Sequence, residues 1–249
     1  MAGFQEVKVN RDLVFTGAAK YQPNVKGPMM TELKIWDETF PGDAALYGWN
    51  EEEDNGSTIT HSSVDGGAEI ITCGAVALDC GELSHTAQWS PYFNCGVEIK
   101  MKISAVGGVC VCGGFVDVKE NLDDHVAGEL NASAVLRSPT NTNDLALFIF
   151  DTDAPDVWYV ATMNNDSKGT PVAALGSLVP VLNTYFKVRI QTDVLGNVTF
   201  YYNGNAVGYK ASGIAYAVTD LLTPYVGFIS RSTGSLVCTI SRVTVWQDN

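Results

Sequence analysis

This chain has no apolar run approaching the roughly 18 to 20 residues that span a bilayer as a helix. It also has no lysine or arginine anywhere between Ile35 and Ile99. Charged residues of either sign are scarce, at 17%. With so few charges and 46% hydrophobic residues, wholesale disorder is excluded. Basic residues are outnumbered 15 to 28, a formal net charge of −13, so neither a nucleic acid nor an anionic membrane surface is an expected partner. The opening MAGFQEVKVNRDL lacks the apolar segment of a signal peptide, and we expect no export and a reducing compartment. Paired C-x₂₋₄-C and H-x₃₋₅-H spacings are missing, which leaves no zinc motif. The six cysteines are Cys73, Cys80, Cys95, Cys110, Cys112 and Cys238. Cys110 and Cys112 fall on one face of a single strand and are poorly placed to bond each other. Most of the six are expected as small buried hydrophobes. The sequons at Asn55, Asn131, Asn165 and Asn197 carry little meaning in a chain not expected to be exported.

What is present reads as strand almost throughout. In Tyr185–Gln191, Phe186, Val188 and Ile190 alternate with Lys187, Arg189 and Gln191, the period-two signature of a half-buried strand. Val97–Ser104 repeats it, with Val97, Ile99, Met101 and Ile103 inward and Glu98, Lys100 and Lys102 outward. Glu69–Cys73, Gly108–Asp117, Leu145–Asp151, Val157–Met163, Val198–Tyr202, Tyr225–Ser230 and Leu236–Trp246 are further strands. About ten short strands punctuated by Gly, Asn and Pro predict an all-β, antiparallel two-sheet sandwich. No long helix and no internal repeat is visible.

The first 34 residues differ from the rest. They hold five basic and three acidic residues, a net of +2, leaving −15 for the remainder. Two prolines and a glycine in Tyr21–Met30 exclude a core strand there. We expect an extended N-terminal arm over 1–34 and one domain over 35–249, with an ordinary first strand and long loop as the alternative.

Leu195–Gly208, LGNVTFYYNGNAVG, runs Gly-Asn turn, strand, Asn-Gly turn, returning strand. Asn203-Gly204 is a strong hairpin signal, because a type I′ turn needs positive φ at both positions. Leu222–Ser230, LTPYVGFIS, then leads to a closing strand ending in SRVTVWQ, and Ile35–Phe40, IWDETF, supplies a first strand. This succession resembles the concanavalin A-like lectin/glucanase (laminin-G-like) jelly roll. In that topology the terminal strand lies beside the first. The tail is most similar to that of virion structural proteins of tailed bacteriophages. The resemblance covers about residues 35–249, and it implies fold more firmly than role.

Glucanases of this family carry E-x-D-x-x-E or E-x-D-x-E on one strand, which sets two carboxylates on a common face for glycoside hydrolysis. No glutamate here lies in such a set. Glu51 and Glu53 have the spacing but sit in EEEDNG, which reads as a solvated turn, and Asp151 and Asp153 in FIFDTDAPD lack a glutamate partner. His61, His85 and His125 are scattered, and none pairs by motif with a nucleophile. We therefore expect no enzyme and no catalytic residue. Asp151-x-Asp153-x-x-Asp156 and Asn121-x-Asp123-Asp124 are acidic enough for a hard cation but do not match the family's metal motif. They read as solvated loops, and no metal or cofactor is expected. Trp36, Trp49, Trp89, Trp158 and Trp246 are candidate sugar platforms, weighed against core or interface roles.

Two function classes remain. The first is a capsid decoration (cement) protein on the exterior of a phage virion. Its partners would be the major capsid protein and copies of itself, a trimer being the natural oligomer for a three-fold shell junction. Phe4, Val7, Lys8, Val9 and Arg11 of the arm would add a strand to a neighbouring sheet edge. The alternative is a carbohydrate-binding module of a tail fibre or surface adhesin, with a glycan as partner.

Overall fold

A computed structural model describes residues 33–248 apart from 41–47, 55, 64–66, 75, 77, 118–141, 166 and 215–218. Sixteen strands follow in chain order among the described residues. They are β1 (Leu33–Glu38), β2 (Trp49–Glu53), β3 (Thr58–Ser62), β4 (Ala68–Cys73), β5 (Cys80–His85), β6 (Gly96–Ile103), β7 (Val109–Val116) and β8 (Leu145–Asp151). Next come β9 (Trp158–Asn164), β10 (Ser167–Lys168), β11 (Val172–Ala173), β12 (Phe186–Thr192), β13 (Val198–Tyr202), β14 (Asn205–Lys210), β15 (Thr223–Ser230) and β16 (Leu236–Asp248). A 3₁₀ turn at Pro91–Phe93 is the helical element among these residues.

The strands form two antiparallel sheets. The first runs β14-β13-β12-β6-β16-β4-β3, the second β10-β9-β8-β7-β15-β5-β2. The long β16 pairs with β4 through Leu236–Ile240 and with β1 through Val243–Asp248. The terminal strand thus lies against the first. Leu33 and Lys34, assigned to the arm from sequence, belong to β1. The all-β two-sheet sandwich is the fold expected.

Between the sheets, Ile99, Met101, Val188, Ile190 and Phe200 meet Val111, Phe115, Phe148, Phe150 and Phe228. Each such side chain contributes about 1.5–3 kcal/mol by leaving water. Phe148 stands edge-on to Trp158 at 5.9 Å and to Phe200 at 5.4 Å, the favoured aromatic arrangement. The second sheet is apolar on its outer face as well, where Cys110, Cys112, Leu147, Ile149, Tyr159 and Tyr225 cluster. Strands buried on both faces read as continuous apolar runs, which is why β7 and β8 show no alternation. The β13–β14 hairpin turns at Asn203 and Gly204 with φ of 47° and 85°, the positive pair expected.

Two local readings need correction. Glu51 and Glu53 are in β2, not a solvated turn. Among the described residues β2 is the end strand of its sheet, and such positions keep charge to discourage further pairing. Asp151 is wholly buried rather than solvated.

Candidate functional site

Strand register assembles an open site on the outer face of the first sheet. Pairings carry one row of residues across it: Ile35, Trp246, Gly96, Gln191, Thr199 and Tyr209. Their neighbours Val245, Val97, Ile190 and Val198 face the core, so this row faces outward. Gly96 makes the row special. A Cβ there would stand 2.2 Å from Trp246 Cζ2, so the indole occupies the space above the glycine. A cavity of about 360 Å³ opens beside the ring, walled by Trp246, Gln191 and Thr199 and rimmed by Asn94, Asp193, Asn197 and Asp248.

The rim is held by its own hydrogen bonds. Asn94, in the left-handed region at φ 51°, donates from Nδ2 to Asp248 Oδ2 at 2.7 Å and accepts from the Val194 amide at 3.1 Å. Asp193 Oδ1 accepts from the amides of Leu195 and Asn197, and its Oδ2 from Asn197 Nδ2 at 2.8 Å. Burial acts to raise the Asp193 pKa. The hydrogen bonds from Asn197 and from the Leu195 amide outweigh it and hold the carboxyl below its ordinary value. The cavity therefore joins an aromatic wall to amide, carboxylate and hydroxyl groups already fixed in place.

Of the other candidate platforms, Trp89 and Trp158 are wholly buried and Trp49 nearly so. Trp36 is half-buried and packs at 5.3 Å on Trp49 and 4.7 Å on His85. Sequence reasoning named Trp246 among five equals. The distinguishing signal, a glycine opposite it in register, is not local to the tryptophan.

A second cluster lies where the end strands β2 and β3 approach. His61 on β3 pairs in register with Glu69 on β4, and its Nδ1 is 2.5 Å from Glu69 Oε1. Glu51 on β2 brings its Oε1 to 3.6 Å from His61 Nε2. Burial pushes the Glu69 carboxyl up to about 7; His61 pulls it down, while Glu51 and Glu38 add to the rise. Sequence reasoning saw a scattered histidine and a solvated turn, because the three donors come from three strands.

Asp151 does not hold a cation in the way an acidic loop would. Arg231, with 3% of its side chain exposed, takes both oxygens: Nε to Oδ1 at 3.0 Å and Nη2 to Oδ2 at 2.8 Å. Asp153 lies 3.5 Å from the same guanidinium. The arm residues Phe4, Val7, Lys8, Val9 and Arg11 lie outside the described residues, as do Asn121, Asp123, Asp124 and His125.

No family model matches the sequence, and no curated protein is matched by it. Solved structures do match. The carbohydrate recognition domain of Emp47p aligns at 10% identity over 90% of this chain and 100% of its own, with a TM-score of 0.58. A β-glucanase from Bacillus licheniformis aligns at 12% identity over 86% of this chain and 98% of its own, TM-score 0.59. An endo-β-1,4-glucuronan lyase from Trichoderma reesei aligns at 12% identity over 83% and 94%, TM-score 0.56. The expectation that this chain is not an enzyme is overturned by these neighbours, since two of them are enzymes built on the same sandwich. That expectation rests on a motif sought along single strands, whereas a sheet also juxtaposes carboxylates across strands. Glu52 stands opposite Glu82 in the β2–β5 register, and Tyr225 donates to Glu82 Oε1 at 2.6 Å. At these identities the likeness speaks to fold alone, and the fold is the concanavalin A-like jelly roll.

Proposed function

We propose that this domain binds carbohydrate and that the cavity beside Trp246 is the binding site. The observation that carries the reading is the union of the Trp246 indole, set over Gly96, with the fixed polar rim of Asn94, Asp193 and Asn197. A sugar ring presents an apolar C–H face and a rim of hydroxyls. The first suits an indole wall, and the second suits amides and carboxylates that donate and accept in fixed directions. Rigid partners also limit the ordering cost of binding. The carbohydrate recognition domain among the structural neighbours is consistent with this use of the fold. Tyr209, 60% exposed, ends the same row four strands from Trp246, about 19 Å away at the usual strand spacing. The row therefore suits an extended oligosaccharide better than a single sugar.

The test is a glycan array followed by calorimetry on the best ligand. Trp246→Ala should weaken binding at least tenfold, about 1.4 kcal/mol. Gly96→Ala should do the same by displacing the indole. Binding that survives both substitutions refutes the site, and an array without ligands refutes the reading. The capsid-decoration reading rests on the sequence, chiefly the phage-like tail and an arm outside the described residues, and the described residues offer it no site comparable to the Trp246 cavity.

A further inference from the structure

Glu51 on β2, His61 on β3 and Glu69 on β4 place their donor atoms within 4.8 Å of one another, β2 and β3 being the end strands of the two sheets among the described residues. Glu69 forms the deep end of the cluster: its side chain is 1% exposed, and its Oε2 is buried with no hydrogen-bond partner. A buried carboxylate oxygen left without a donor carries an unrecovered desolvation cost, and a bound cation removes it. Glu51 and His61 form the rim, with 26% and 16% of their side chains exposed, so an ion has a way in. The three donor atoms can meet on one ion once the His61 Nδ1–Glu69 contact, now 2.5 Å, gives way to it.

Charge points the same way. Glu51 and Glu38 both bear on Glu69, which stands beside a single imidazole. β2, β3 and β4 themselves contribute no lysine or arginine. We propose that Glu51, His61 and Glu69 hold one divalent transition-metal ion of the zinc class. One imidazole with two carboxylates favours such an ion over calcium, which takes six to eight oxygens. Since β2 ends one sheet and β3 the other, the ion ties two edges that share no backbone hydrogen bonds. This site is separate from the Trp246 cavity and stands or falls independently of it.

The experiment strips the full chain with EDTA, removes the chelator, and titrates zinc chloride by calorimetry at pH 7.5, with manganese and calcium in parallel. One zinc per chain is expected, with calcium much weaker. At zinc a hundred times the dissociation constant, the unfolding midpoint should rise by roughly 5–10 °C. Glu51→Gln, at the exposed rim, and His61→Gln should each weaken zinc at least tenfold. The rim variant guards against a variant that fails to fold. Absence of zinc binding overturns the proposal, as does zinc binding unchanged in Glu51→Gln and His61→Gln.

Discussion

Replacing Asp151 with alanine tests how much of this fold depends on one ion pair. Asp151 is wholly buried, and both its oxygens accept from Arg231, at 3.0 and 2.8 Å. Its Oδ1 also accepts the Asp153 amide at 3.1 Å. Removing the carboxylate leaves a guanidinium that is 3% exposed beside Asp153, which is 46% exposed and only 3.5 Å away. Breaking one side of a buried pair costs about 3–5 kcal/mol, because the remaining charge stays desolvated. Asp153 recovers a fraction, so the low end, about 3 kcal/mol, is expected. In a chain of this size that lowers the thermal midpoint by roughly 6–12 °C. Urea unfolding with linear extrapolation measures it, and an unchanged m-value shows that the native state is intact. Adding Arg231→Met should recover much of the loss, since the double variant removes the buried guanidinium together with its carboxylate. A single-variant cost under about 1 kcal/mol, or a double variant equal to the sum of the singles, would refute the reasoning.

Three further outcomes follow from the same geometry. All six cysteines are buried as thiols, and burial pushes the Cys73 and Cys95 thiols up to about 12 and raises Cys80, Cys112 and Cys238 as well; none should react with a thiol reagent at pH 8 until the chain is denatured, and rapid native labelling would contradict this. Glu69, raised from 4.5 to about 7, makes the native state bind more protons than the unfolded chain between those values. Stability of the metal-free protein should therefore fall as pH rises through that window, and Glu69→Gln should flatten the slope; urea midpoints at pH 5 and pH 8 that differ equally in both proteins would count against it. Gly204→Val forces a β-branched residue to φ 85° in the hairpin turn and should cost about 1–3 kcal/mol, with Asn203→Gly nearly neutral by the same denaturation assay.

The chain's own pattern determines a good deal of this molecule. β6 and β12 are legible because one face of each meets the core and the other meets water, so burial imposes period two on the residues themselves. The Asn203-Gly204 hairpin is legible because few residues adopt positive φ cheaply. The two-sheet sandwich follows from many such strands with turns between them. β2 was invisible because an end strand of glutamates reads like a solvated turn, and β5, CGELSH, has its glutamate and serine buried. Trp246 was legible only as one of five candidate tryptophans, and the grouping of residues into sites was not legible. Trp246 becomes a wall only because β16 lies beside β6 with Gly96 opposite it. Glu51, His61 and Glu69 meet only because the two sheets bring their end strands together. Asp151 finds Arg231 eighty positions away. Local preference reaches a few residues along the chain and decides which segments are strands. Which strands become neighbours, and in what register, is settled by burying apolar faces over the whole domain, and every candidate site here is made by that second step.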